Sequence, residues 1–191
     1  MKMIILQTEK DLRIYSLPLR QKILREMRYF GRPVTAKEIA DRLQITPSAA
    51  QHHIKQLMSI GLIEFDHMQV IRGIQAQYMR LADVTVSIGQ QYADALSDMR
   101  DEAAKGMLME ALNGFMHVVH NNRKSPMVDH AGGLNDILTG IVHLTFEEAE
   151  EFYRYVFDFL NAHTEAGTDT KPWEIAMLGY RMDLTQLETK E

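Results

Sequence analysis

Between residues 16 and 61 the apolar positions recur at helical spacing, and residues that start and stop helices punctuate them. In "SLPLRQKILREMRYFG", Leu19, Ile23, Leu24, Met27 and Phe30 form one stripe, which predicts a helix ending at Gly31. "TAKEIADRL" opens with Thr35 as N-cap and Glu38 three residues on, the two halves of a capping box. Its inward residues are Ala36, Ile39, Ala40 and Leu43. The joint "QIT" leads into "TPSAAQHHIKQL", where Thr46 caps a third helix and Pro47 suits its first turn, since that N–H has no helical partner. Ala50, Ile54 and Leu57 face inward, and Gly61 ends the helix. Two short helices joined this tightly predict a helix-turn-helix.

The periodicity then changes to that of strands. "LIEFDHMQVI" and "IQAQYMRLA" favour strands through Ile, Val, Phe and Tyr, and the two residues between them, Arg72 and Gly73, can close a hairpin. Asn or Asp suits the first position of a type I′ turn better than Arg72 does, so the turn type stays open. Three helices and a hairpin make a winged helix.

From about Val86 to His120 the spacing predicts one long helix, with Ile88, Tyr92, Leu96, Met99, Met107 and Phe115 on its apolar side. Gly106 and Gly114 are places where it can bend or divide. "RKSPMVDHAGG" is a loop by its Pro and Gly content. "DILTGIVHLT" reads as a strand, Thr145 with Glu148 as another capping box, "FEEAEEFYRYVFDFLNAH" as a helix, "TEAGTDTKP" as a linker and "WEIAMLGYRMDL" as a final strand. The expected fold is mostly α with small β. An N-terminal winged helix-turn-helix (residues 1–84) joins, through a long connecting helix, a small α+β C-terminal domain within residues 85–191. No internal repeat is evident.

Charge divides the chain at the same place. Residues 1–82 carry 13 Lys and Arg against 7 Asp and Glu, whereas residues 83–191 carry 8 against 19. A basic module followed by an acidic one points to a polyanion partner for the first half alone. With inward residues assigned, the third helix turns Ser48, Gln51, His52 and Lys55 outward. Such a helix lies in the major groove with its N-terminal side chains at the base edges. Gln51 can pair with adenine through two hydrogen bonds, Ser48 with several bases, and His52 with base or phosphate. Lys55 most simply meets phosphate. Thr46 stands at the helix start, whose N–H groups attract phosphate, and Arg72 at the wing tip is placed for a minor groove or the backbone. The plainer readings are a solvated helix face, a packed and hydrogen-bonded His53, and an Arg20 that supports the fold through a carboxylate or a helix end.

The run "LPLRQKILREM", then "VTAKEIADRLQITPSAAQHHIKQLMSIGLIE", then "YMRL", resembles the ArsR-type (arsenic-repressor-like) winged helix-turn-helix regulators over residues 15 to 82. The resemblance implies a cytoplasmic, DNA-binding, usually dimeric transcription regulator; a homodimer with this motif in turn calls for sequence-specific binding to an inverted-repeat operator whose half-sites lie about one helical turn apart. Position 51, commonly Ser in such proteins, is Gln here. The chain has no cysteine, so the family's thiolate metal site does not carry over.

The long apolar stripe is an independent reason to expect self-association, with Ile88, Tyr92, Leu96, Met99 and Phe115 as dimerisation residues. Docking of that stripe within the chain is the alternative. No apolar run approaches a membrane span, and "MKMIILQTEK" is too short a run for a secretory signal, so a cytoplasmic protein is the simplest reading. Catalytic motifs are absent, no cofactor is expected, and "TFEEAEEF" reads as a capped helix start rather than acid–base machinery. His117 and His120 sit three apart, but two ligands are too few for a stable zinc site, so no metal is expected. The 13 methionines either fill cores or line a pocket for a small-molecule effector. A protein-binding adaptor and an enzyme with a regulatory winged helix are the rival readings.

Overall fold

The computed structural model describes residues 2–71, 73–124 and 137–182. The three expected helices form around one core: α2 (Pro18–Phe30), α3 (Ala36–Leu43) and α4 (Pro47–Ser59). Gly31 closes α2 in the left-handed region, φ 57°, and both halves of the Thr35–Glu38 capping box are made. Between α3 and α4 the chain turns through Gln44, which also lies in the left-handed region at φ 55°. Ile39, Ala40, Ala50, Ile54 and Leu57 are each at most 2% exposed, so the inward faces read from sequence are the buried ones. Each such aliphatic side chain contributes about 1.5–3 kcal/mol through the water it leaves, alanine less.

The wing is present and larger than the hairpin alone. Strands β3 (Ile63–Ile71) and β4 (Ile74–Leu81) pair antiparallel, with Ile71 opposite Ile74 and a register shift between Phe65 and His67. A short β2 (Val34–Thr35) adds to the other edge of β4, giving the order β2-β4-β3. Three further elements escape the hydrophobic pattern. Helix α1 (Glu9–Ser16), capped by Thr8, buries Leu12, Ile14 and Tyr15. Strands β1 (Lys2–Ile5) and β5 (Val84–Ser87) pair in parallel, tying the chain start to the end of the wing domain.

The expected helix over 86–120 is corrected at its start. Val86 belongs to β5, Gly89 takes φ 73°, and α5 runs from Ser97 to Lys124. Ile88, Tyr92 and Leu96 therefore precede the helix. Asp94 and Arg100 hold this turn: Arg100 is 1% exposed and donates two hydrogen bonds to the Asp94 carboxylate, at 2.6 and 3.1 Å. That bonding raises the Arg100 pKa, and the same contact lowers that of Asp94. Gly106 and Gly114 do not divide α5.

Beyond it, α6 (Phe146–Ala162) begins with the expected Thr145–Glu148 box. The two flanking segments expected as strands are a second correction. Neither 138–145 nor 173–180 pairs with any strand among the described residues. For 138–144 and 173–180 no neighbouring strand edge is present among the described residues, and a strand exists only by its partner's hydrogen bonds. The fold is mostly α with small β, and within its described residues the strands lie between 2 and 87.

Candidate nucleic-acid interface

Helix α4 is fixed from beneath and open above. Ala50, Ile54 and Leu57 lock it onto the core, while Thr46, Ser48, Gln51, His52 and Lys55 are all exposed. At 100° per residue, Ser48, Gln51, His52 and Lys55 fall within an arc of about 100° on the opposite face. Thr46 accepts the Ala49 N–H at 3.2 Å through its hydroxyl, so part of its capacity is spent on capping. The Ser48 N–H has no backbone partner among the described residues and faces out of the helix start. Lys55 forms no ion pair among the described residues, unlike Lys37 on α3, which is held by Asp41 at 2.7 and 2.9 Å.

Two neighbours of this face take different roles. Arg20 donates to the carbonyls of Arg13 and Ile14, at 3.3 and 3.1 Å, and thereby caps the C-terminal end of α1. It is a helix-end residue rather than part of the exposed face. His53 is half-buried as expected, but its Nδ1 has no hydrogen-bond partner within the described chain. Burial lowers its pKa first, and the nearby Arg20 and His52 add to that by repulsion; the His52 and His53 rings meet edge to face at 5.3 Å.

Sequence reasoning missed a groove beside this face. About 460 Å³ in volume, it lies between α1, α2 and α4 and is lined by Glu9, Lys10, Arg13, Ile14, Arg20 and Gln56. Three cations against one carboxylate extend the positive surface along the flank of α4. Arg13 is partly neutralised by Glu9 at 2.5 Å. The available signal was "TEKDLRIY", with a capping threonine and a Glu–Arg pair four apart.

On the wing, Arg80 is engaged by Glu64 at 2.6 Å and by Asp66 at 3.4 Å, and His67 stacks on Tyr78 at 4.5 Å. Arg72, the expected wing-tip contact, lies outside the described residues. Val70 and Ile74 beside it are 66% and 73% exposed, so the described wing end is apolar.

The expected dimerisation residues separate into two groups. Ile88, Leu96 and Met99 pack against the winged-helix core of their own chain. Tyr92 is exposed and its ring lies beside Arg100, while Phe115 is half-buried on α5. The exposed part of α5 is further along, at Leu108, Met109, Leu112, Met116 and Val118. His117 and His120 are exposed on the same helix, and the His117 ring meets the Asn121 side-chain amide at 2.9 Å. His130 lies outside the described residues.

A second groove, about 430 Å³, runs between α5 and the segment 174–178, with Tyr15, Val86, Ile88, Met107, Leu108 and Met177 among its walls. Arg25 of α2 anchors that segment through two hydrogen bonds to Glu174, at 2.8 and 2.6 Å.

Among the described residues no helix is long and apolar enough to cross a membrane. Comparison with curated proteins finds no match. A family model described as a helix-turn-helix domain matches residues 16–64, the span from the end of α1 to the start of β3. The chain therefore carries a helix-turn-helix domain, the kind of module by which transcription regulators bind DNA, and α4 is its exposed second helix.

Proposed function

We propose that this protein is a cytoplasmic, sequence-specific transcription regulator of the ArsR type that binds an inverted-repeat operator as a homodimer. The observation that carries the reading is α4: a helix locked onto a buried core, with Ser48, Gln51, His52 and Lys55 exposed along one arc. Gln51 reads a base edge, Lys55 and the helix start hold phosphates, and Arg72 reaches the backbone or minor groove from the wing. The two copies place their α4 helices in successive major grooves about one helical turn apart. Pairing uses the open stripe of α5 around Leu112 and Met116, continuous with Phe115. The chain acts by binding and not by catalysis, and the apolar groove along α5 suits an organic effector, with Met107 and Met177 as adaptable walls.

Selection of bound sequences from random duplex DNA tests this directly. Enrichment of an inverted repeat, with binding that weakens steeply as salt rises, is the expected result. Absence of any enriched sequence, with weak and salt-insensitive binding, would favour the protein-binding adaptor reading instead.

A further inference from the structure

The C-terminal half leaves many large apolar side chains exposed. Helix α6 carries a stripe of Ala149, Phe152, Tyr153, Val156, Phe159 and Leu160 at helical spacing, yet none of its residues is buried. Phe152 and Phe159 are each 50% exposed. The extended segments on either side behave likewise, with Leu138 at 97%, Val142 at 73%, Trp173 at 65% and Leu178 at 72%. Among the described residues, no backbone hydrogen bond forms on 138–144 or 172–180. Two strand-like segments with open edges, flanking an amphipathic helix, are the parts of an α+β unit that lacks its other side.

The amount of surface sets how large that other side must be. The chain exposes 14875 Å², whereas a folded monomer of its mass exposes roughly 9,300 Å². Even if the 23 undescribed residues are allotted the exposure of unfolded chain, the remainder still exposes about 2,500 Å² too much. A peptide or a standard-size partner covers only about 800 Å² on each side, whereas about 2,500 Å² on each of two copies makes about 5,000 Å² in all, within the range of obligate homodimers. Exposed large apolar side chains recur on α5, in 138–144, on α6 and in 173–180.

We infer that a second copy of this chain completes the C-terminal unit: segments 138–144 and 172–180 gain their strand hydrogen bonds from the partner copy, and the apolar stripe of α6 is covered by it. This deepens the homodimer proposed above, moving the main interface from α5 alone to the whole acidic half. The Arg25–Glu174 contact serves the same arrangement, because it holds the segment at Glu174 against the winged helix. Dimerisation and the position of α4 are thereby mechanically joined.

Hydrogen exchange of the full-length protein across a dilution series, with sedimentation on the same samples, tests the inference. Amides of 138–144 and 172–180 are expected to exchange at least tenfold more slowly in dimer than in monomer, while α3 and α4 keep their protection throughout. The double variant Phe152→Glu/Phe159→Glu should raise the dimer dissociation constant at least tenfold with α3 and α4 still protected. A stable dimer whose 138–144 and 172–180 amides exchange freely would overturn the inference and leave the proposed homodimeric regulator standing. Protection independent of concentration in a monomer would mean that the unit closes within one chain. Free exchange in a persistent monomer would assign the surface to another protein. Both of these results overturn the inference and the homodimer, and DNA selection with the monomer then decides whether α4 reads sequence.

Discussion

Lys55→Ala is the sharpest test of how α4 meets its partner, because the structure supplies its own control. Lys55 is exposed with no ion pair among the described residues, so its charge is available to a phosphate. Lys37, on the preceding helix, is also exposed but already neutralised by Asp41. Removing one phosphate contact reduces the slope of log K against log salt by about 0.9, hence about 1.8 for a dimer on two half-sites. Between roughly 50 and 200 mM salt the wild type should therefore lose about 12-fold more affinity than Lys55→Ala does. Lys37→Ala should follow the wild-type slope. Neither change should move folding stability by more than about 0.5 kcal/mol, since both sites are exposed and alanine is a good helix former. Titration of one labelled operator duplex at several salt concentrations measures all three slopes. Equal slopes for wild type and Lys55→Ala would refute a phosphate contact at this position. Gln51→Ala supplies the complementary result: a loss of about 1–3 kcal/mol confined to one base pair per half-site, with the salt slope unchanged. Uniform weakening on every sequence would remove Gln51 from base readout.

Thr35→Ala removes the N-cap of α3, where Thr35 accepts the Glu38 N–H at 3.2 Å and donates its own N–H to the Glu38 carboxylate at 2.7 Å. Denaturant unfolding should show a loss of about 1 kcal/mol. Gln44→Gly relieves the left-handed backbone between α3 and α4 and should stabilise the domain by up to about 1 kcal/mol, read in the same assay. His53 keeps a lowered pKa in the folded state because burial disfavours its charge, so the unfolded chain binds its proton first as pH falls. The stability it allows is complete above about pH 6.5 and declines below that value until the folded pKa is passed. His53→Gln should flatten the fall in stability between about pH 7 and 5, and an unchanged profile would exclude His53 as its source. Purified protein should hold less than about one transition metal ion per dimer, and chelation should leave DNA binding intact. Stoichiometric zinc or nickel, absent from both His117→Ala and His120→Ala, would make the protein a metal sensor.

The sequence by itself determined the parts whose signals are local. Capping residues, the Gly31 stop and the 3.6-residue apolar repeat fix α2, α3 and α4, because each signal acts within a turn or two of the helix it marks. The outward set on α4 follows from the inward one by helical geometry, so the candidate interface was legible in the chain itself. The parallel pair β1 and β5 was not, because four residues at the chain start become a strand only when Val84 to Ser87 arrive beside them. The start of α5 was misread for the same reason. Periodicity continues through Ile88, Tyr92 and Leu96, but β5 pairing, Gly89 at φ 73° and the buried Arg100–Asp94 contact impose a turn there. Those contacts also commit Ile88, Leu96 and Met99 to the chain's own core, which a repeat of apolar positions has no means to record. In 138–144 and 173–180 the residues favour strands, yet a strand's hydrogen bonds belong to its neighbour, and among the described residues of one chain no neighbouring strand supplies them.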